Sequence, residues 1–255
     1  MFWHYTGFRF ESLKIDALKA HWAARVLFVA ILLLSVLPVF FPVGNPDFSE
    51  FVRWMDNVVE KGENLSSIEV LSSMPPITMG HLLNRASKLG YQVLSLFLAL
   101  IYAGFYLLND KFDSPRKIVL ETFKRTPSII FIMFLFIAPL FLILVSMPFV
   151  VLLILPIFYF APALIYDKKM PGFESMVKSG SLTQGYKFSI FFNLIMLSSM
   201  NSFASFLFAL VLEVESKGFS LVMGFFDAFM LLAIARNVGV MYQLVTNRPG
   251  ETEKV

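Results

Sequence analysis

Asp227 is the residue best placed to do chemistry, because it is a carboxylate inside the long apolar stretch 219–245. At a rise of about 1.5 Å per residue, it lies roughly 12 Å from the start of that stretch. Ionisable groups at such depth in a membrane are costly and usually face protein or water. Asp227 therefore predicts either a proton- or cation-coupling site or a hydrogen bond to a neighbouring helix, and we favour the hydrogen bond.

The preceding apolar stretch, 188–212, offers polar partners for Asp227. The connection between the two stretches is short, which predicts a helical hairpin. Small residues let such helices approach closely, and Gly224 and Ala228 place a small-residue face near Asp227. The pattern predicts either plain helix packing or a polar lining for a lipid headgroup or solute. The polar candidates share an arc of about 100° on one helical face: Ser198, Asn201, Ser202 and Ser205.

Basic residues near the ends of the apolar stretches are candidates for contacts with lipid headgroups. Long basic side chains at such positions reach the membrane interface, either as simple anchors or in contact with lipid phosphates. A further basic face, formed by His81, Arg85 and Lys88, has two readings: it meets headgroups or a solute, or it is a solvated helix end. The candidates for headgroup contact are Lys168, Lys169, Lys178 and Arg236.

The chain lacks the patterns of common enzyme sites. It has no Cys and no Gly-rich phosphate loop, and its three His are scattered. Neither a nucleophile elbow nor a zinc-binding His helix is present. The basic segments are short and lie next to apolar stretches, which does not support nucleic-acid binding. We therefore expect a protein that is not an enzyme and that has no cofactor and no metal site.

The elements that position these residues are transmembrane helices. Of 255 residues, 57% are hydrophobic and 15% charged, whereas soluble domains average about 45–50% and 25%. A span needs about 20 apolar residues. The charge-free run 129–166 is long enough for two, which we divide near Ser146-Met147-Pro148. We predict an all-α, single membrane domain over 1–255 with six spans, at about 23–41, 89–108, 127–145, 149–166, 188–212 and 219–245.

Charge distribution predicts the orientation of these spans. The segments that six spans place together with both termini hold 16 of the 21 Lys and Arg residues. Basic residues concentrate on the cytoplasmic side, so both termini are predicted to be cytoplasmic. The external segment is then 44–88. Its beginning is predicted to form an amphipathic helix with these residues on one side: Phe48, Phe51, Val52, Met55 and Val59.

The cytoplasmic segments share an opening of Phe, an acid and Ser, at Phe10, Phe112 and Phe173. Each opening leads through a basic, amphipathic turn or two into an apolar stretch. Helices of this composition lie in the membrane interface. We predict three repeats of one interfacial helix plus two spans. The alternative is that each segment is an ordinary amphipathic linker.

The stretch Phe160–Phe188, "FAPALIYDKKMPGFESMVKSGSLTQGYKF", resembles the YciC-like group of bacterial inner-membrane proteins. It is also similar to the membrane domain attached to some glycerophosphodiester phosphodiesterases. The resemblance covers spans three to six well and span one more loosely. It implies a multi-pass protein of the bacterial plasma membrane, and it implies no particular activity for the membrane part.

Two functions remain open at this level. The first is a non-enzymatic lipid-interacting or scaffold/assembly protein, favoured by the basic interfacial segments. The second is a transporter or permease subunit that uses the polar residues of spans five and six, favoured by Asp227 and by the prolines Pro139, Pro156 and Pro162. Expected partners are membrane lipids and either another membrane protein or a second copy of the chain.

Overall fold

The computed structural model describes residues 7–61, 70, 72–146, 155–214 and 216–247. Within these residues the chain is all-helical. Two short 3-10 helices accompany the α-helices, at Phe10–Leu13 and Leu155–Phe158. The eight α-helices are α1 (His21–Phe40), α2 (Ser49–Lys61), α3 (Met79–Leu108), α4 (Pro115–Ser146), α5 (Ala161–Lys168), α6 (Gly172–Leu182), α7 (Lys187–Ala209) and α8 (Lys217–Thr246).

Four of these helices, α1, α3, α7 and α8, are long and apolar enough to cross a membrane. They correspond to the predicted first, second, fifth and sixth spans. The predicted third span, 127–145, lies within α4, which begins earlier, at Pro115. The predicted fourth span, 149–166, is not one helix where it is described, because a 3-10 turn and the eight-residue α5 share residues 155–168. Residues 147–154 lie outside the described residues.

Helix α3 starts ten residues before the predicted second span, and its first turn explains why. The Thr78 hydroxyl accepts a hydrogen bond from the backbone N–H of His81, and the Thr78 N–H donates to His81 Nδ1. This reciprocal capping satisfies backbone donors that a helix start otherwise leaves unpaired. A prediction based on apolar length does not detect it.

The segment predicted to be external, 44–88, contains the amphipathic helix that the sequence predicts, as α2. Between α1 and α2 the chain turns at Gly44, next to the start of α3. The φ of Gly44 is +80°, in the left-handed region that glycine adopts readily. The backbone N–H of Asn45 then donates to the Gly80 carbonyl. These contacts attach α2 to the end of the bundle.

The three Phe-acid-Ser segments adopt three different structures, so three separate interfacial helices are not observed. The first, at Phe10, is a single 3-10 turn. The second precedes Pro115, from which α4 runs without interruption into the predicted span. Only the third, at Phe173, lies in a separate helix, the 11-residue α6.

Helix α8 packs against α1, α3 and α7. A methyl group on Gly224 would overlap Val36 of α1, and one on Gly239 would overlap Tyr106 of α3. Ala228, one turn after Gly224, is fully buried. The small-residue face of Gly224 and Ala228 therefore packs on α1, and not on α7 as the sequence suggested, which leaves Asp227 on a different side of α8.

Candidate functional site

A cavity of about 490 Å³ lies among the four candidate spanning helices. We call it the polar cavity. Two of its wall residues carry charge, Lys88 on α3 and Asp227 on α8. The other polar groups are the amides of Gln92 and Asn201 and the hydroxyls of four residues. These hydroxyls belong to Ser35, Tyr91, Ser95 and Ser198, and the remaining wall is apolar.

Asp227 and Asn201 meet across the α7–α8 pair, as the favoured sequence reading expected. Asn201 Nδ2 donates to Asp227 Oδ1 over 2.8 Å. Counted along their helices, Asp227 lies about 15 Å from the start of α8 and Asn201 about 12 Å from the end of α7, so the two groups are at matching depth. Asn201 Oδ1 is buried and has no hydrogen-bond partner among the described residues. In the part of the chain that is described, Asp227 Oδ2 has none either.

Lys88 joins this site, although the sequence grouped it with His81 and Arg85. The structure separates the three. His81 is buried and its Nε2 donates to the Asp47 carbonyl over 2.8 Å. Arg85 lies 4.5 Å from the centre of the Phe48 ring. Lys88 is half-buried in the wall of the polar cavity, without an ion pair or hydrogen bond to any described residue.

The contribution of α3 to the cavity was missed in the sequence, although a signal for it exists. Lys88, Tyr91, Gln92 and Ser95 are spaced i, i+3, i+4 and i+7, which is one face of a helix. Ser95 is only 6% exposed. Its hydroxyl has no hydrogen bond within the described ranges. A polar stripe inside an apolar helix was therefore visible before the structure.

The predicted polar face of α7 divides into two parts. Ser198 and Asn201 line the polar cavity, whereas Ser202 and Ser205 do not. The Ser202 hydroxyl donates to the Ser198 carbonyl over 3.3 Å. Ser202 is exposed on the outside of the helix and Ser205 is half-buried. Only the first two therefore remain candidates for ligand contact in this cavity.

The lysines predicted to contact headgroups lie at the other end of the bundle from the polar cavity. Lys168 and Lys169 are exposed where α5 ends, and Lys178 is half-buried on α6. Lys168 also forms an ion pair with Asp167 at 3.4 Å. Lys169 has a φ of 58°, in the left-handed region, which ends α5 and turns the chain toward α6. Their contact with lipid stays a prediction.

Arg236, predicted as an anchor at the interface or a headgroup contact, is instead buried in the protein. Its side chain is 7% exposed. Nε donates to the Glu11 carbonyl over 2.8 Å, and Nη1 donates to the Tyr102 hydroxyl over 3.4 Å. The guanidinium also lies 4.6 Å from the centre of the Tyr106 ring. These partners come from distant parts of the chain, and they keep Arg236 away from headgroups.

Arg236 belongs to a larger set of buried polar side chains that hold residues 7–20, which we call the N-terminal network. Asn193 Oδ1 accepts the Arg9 backbone N–H over 3.0 Å. Asn237 Oδ1 accepts the Ser12 hydroxyl over 2.9 Å. The Tyr102 hydroxyl donates to the Ile15 carbonyl over 2.6 Å. Side chains of α3, α7 and α8 thus attach the N-terminal segment to the bundle.

A second polar cluster surrounds Asp167 at the end of α5. Lys111 forms an ion pair with its carboxylate, and the Tyr242 hydroxyl donates to Oδ2 over 2.7 Å. Burial alone would raise the pKa of Asp167, but the hydrogen bonds from Lys111 and Tyr242 outweigh it, so the pKa lies below its ordinary value. This cluster ties α5 to α8 and to the α3–α4 turn.

Comparison of the chain with protein-family models, curated proteins and solved structures finds no match. The resemblance to the YciC-like group therefore stays a prediction. Among the described residues, no group of three or more His, Cys, Asp or Glu side chains is arranged to hold a metal ion. Within the described residues, the arrangement can offer a ligand two charges without an ion pair and several hydrogen-bonding groups in one cavity.

Proposed function

We propose that this chain is a non-enzymatic integral protein of the bacterial plasma membrane, with cytoplasmic termini, that binds a membrane lipid in the polar cavity. The observation that carries this proposal is the position of the cavity. Its walls come from α1, α3, α7 and α8, the four helices with the length and composition of spans. Because these helices have apolar surfaces, a ligand of this cavity is expected to have an apolar part that packs against them and a polar part that reaches the polar groups.

The dimensions and lining of the cavity support this proposal. Its volume of about 490 Å³ lies in the range of about 300–1,000 Å³ that is usual for small-molecule sites. Leu34, Val39 and Leu231 supply apolar wall, and Lys88 and Asp227 supply charge. A mixed lining of this kind suits an amphiphile, with the headgroup against the charges and the chains against the apolar residues.

The proposal is tested by native mass spectrometry of the full chain extracted in a lipid-retaining polymer. Wild-type protein is expected to keep one lipid per chain. A Ser198→Trp substitution fills the cavity from α7 and should remove that lipid. The matched control is Ser202→Trp, one turn further along and equally exposed but outside the cavity. Equal lipid retention by both variants would contradict the proposal.

The same cavity also supports a second candidate function, that of a transporter or permease subunit. Asp227 and Lys88 both line the cavity and form no ion pair with a described residue, which gives a permeating solute or ion a place to bind. The mass spectrum distinguishes this reading, because a stoichiometric protein partner such as an ATPase would identify the chain as a subunit. Unchanged uptake or export in cells that carry Asp227→Asn would argue against transport.

A further inference from the structure

The charges of the polar cavity specify what its ligand must carry. Lys88 and Asp227 both line the cavity, and within the described ranges they form no ion pair with each other or with another residue. Asp227 is exposed and Lys88 is half-buried where they line the cavity, so both charges are accessible to a ligand. Both charges would be compensated at once by a ligand that brings an anionic group to Lys88 and a cationic group to Asp227.

The hydrogen-bonding groups around Asp227 indicate the kind of cation. Asp227 Oδ2 and Asn201 Oδ1 are acceptors without donors in the described ranges, and they belong to two side chains already joined by a hydrogen bond. A primary ammonium has three N–H donors. It can donate to the carboxylate and, after a small shift of the Asn201 amide, to Oδ1. A quaternary ammonium has no N–H and satisfies neither acceptor.

The groups on the α3 side suit the anionic part of the ligand. Lys88, Tyr91, Gln92 and Ser95 lie along one stripe and present an ammonium, a phenol, an amide and a hydroxyl. Each of these groups can donate a hydrogen bond to an anionic oxygen. The Ser95 hydroxyl is the deepest of them, since the residue is only 6% exposed and its hydroxyl has no other partner in the described part of the chain.

We infer that the polar cavity binds a zwitterion with a primary ammonium at Asp227–Asn201 and a phosphate or carboxylate at Lys88–Ser95. This inference rests on the proposed function and names its ligand class. Two sources supply that chemistry, a lipid with an ethanolamine phosphate headgroup and a free zwitterionic solute. The apolar wall favours the lipid.

The test is a titration of the full, delipidated chain in detergent with three lipids, followed by native mass spectrometry. Phosphatidylethanolamine is expected to bind one per chain. Its N-trimethylated analogue phosphatidylcholine keeps both charges but has no ammonium N–H, and phosphatidylglycerol has no cation. Both should bind at least about tenfold more weakly, since hydrogen bonds to charged groups are worth about that factor or more.

Variants assign the two ends of the ligand. Asp227→Asn and Lys88→Gln should each weaken phosphatidylethanolamine binding about tenfold. Asp227→Asn should also remove most of the preference over phosphatidylglycerol, whereas Lys88→Gln should not. The controls are Arg85→Gln on the same helix and Ser202→Ala on α7, both outside the cavity. The melting temperature of each variant is measured, and only variants as stable as the wild type are compared, so that unfolding is not mistaken for lost binding.

Competition with soluble phosphoethanolamine separates the two sources. Displacement of the lipid at millimolar concentrations would support the zwitterion site with a free solute as its ligand, and absence of displacement with intact lipid selectivity would support the lipid. Preferred binding of phosphatidylglycerol, unaffected by Asp227→Asn, would overturn the inference and leave the proposed function standing. If no lipid bound in a way that the cavity variants change, both the inference and the proposed function would be overturned.

Discussion

Asn237 in the N-terminal network and Asn201 in the polar cavity are amides on adjacent helices, but their hydrogen bonding differs. Asn237 is fully buried and both ends of its amide are used, with Nδ2 donating to the Tyr159 hydroxyl over 2.8 Å and Oδ1 accepting from Ser12. Asn201 uses only its Nδ2. Residue type alone therefore does not distinguish the two amides, and the unused acceptor of Asn201 becomes a candidate ligand contact only because Asn201 also lines the polar cavity.

The same contrast holds for the charged residues. Arg236 has a carbonyl, a hydroxyl and an aromatic ring as partners. Lys88, in the cavity wall, has no such partner among the described residues. Substitutions in the N-terminal network should therefore lower stability, and substitutions in the polar cavity should change binding with little effect on stability.

The largest stability effect is expected for Arg236→Met. This substitution leaves the Glu11 carbonyl without its donor and removes the contact with the Tyr106 ring. It should lower the free energy of unfolding by about 3 kcal/mol, from hydrogen bonds to a charged group and a desolvated cation–π contact. Reversible denaturation in mixed micelles measures this value. The exposed Arg116→Met on α4 is the control, and an equal loss in both variants would contradict the assignment.

A double-mutant cycle between Ser12 and Asn237 measures how strongly one hydrogen bond of the N-terminal network holds the N-terminal segment. Their hydrogen bond is buried and joins residues 225 positions apart. Ser12→Ala, Asn237→Ala and the double variant should give a coupling energy of about 1 kcal/mol, as for a buried neutral hydrogen bond between residues in contact. A coupling energy near zero would mean that the N-terminal segment is not held by this bond.

Acid should weaken the Asp167 cluster by a smaller amount. Because the pKa of Asp167 is lowered in the folded protein, its contribution is complete above the unfolded pKa of about 3.9 and is lost as pH falls through the folded pKa. The effect should stay at or below about 1 kcal/mol, since solvent screens the group. Unfolding measured from pH 6 to 3 should show a shallower pH dependence in Asp167→Asn than in wild type.

The smallest stability effect is expected for Asp227→Asn. The amide keeps an oxygen that accepts from Asn201, so the free energy of unfolding should change by less than about 0.5 kcal/mol. Thermal unfolding in detergent checks this value beside that of Arg236→Met. A loss as large as that of Arg236→Met would show that Asp227 is a structural residue, and the distinction between the two regions would fail.

Much of the helical architecture was predictable, because a long apolar run is a local signal. The spans near 23–41, 188–212 and 219–245 agree with α1, α7 and α8 within a few residues. The start of α3 was missed because the reciprocal capping of Thr78 and His81 lengthens a helix beyond its apolar part. The predicted helix start at 127 is wrong, because α4 begins at Pro115 and continues through Pro127.

The candidate site was predictable in part. The pairing of Asp227 with Asn201 followed from a short hairpin and helical spacing, both of which are local properties. Lys88 was not assigned to the site, because its position depends on how α3 packs on α8. Arg236 was placed wrongly for the same reason, since its partner Glu11 is 225 residues away and no spacing rule connects the two.

The N-terminal network also determines the order in which the molecule is completed. Residues 9–15 are synthesised before α1, α3, α7 and α8, yet Asn193, Arg236 and Asn237, which bind them, are synthesised much later. The Glu11 carbonyl and the Ser12 hydroxyl therefore acquire these partners only after α8 has been synthesised. A chain interrupted before α8 lacks the Asn237 and Arg236 side chains that bind Ser12 and the Glu11 carbonyl, so it differs chemically at these groups from a chain that contains α8.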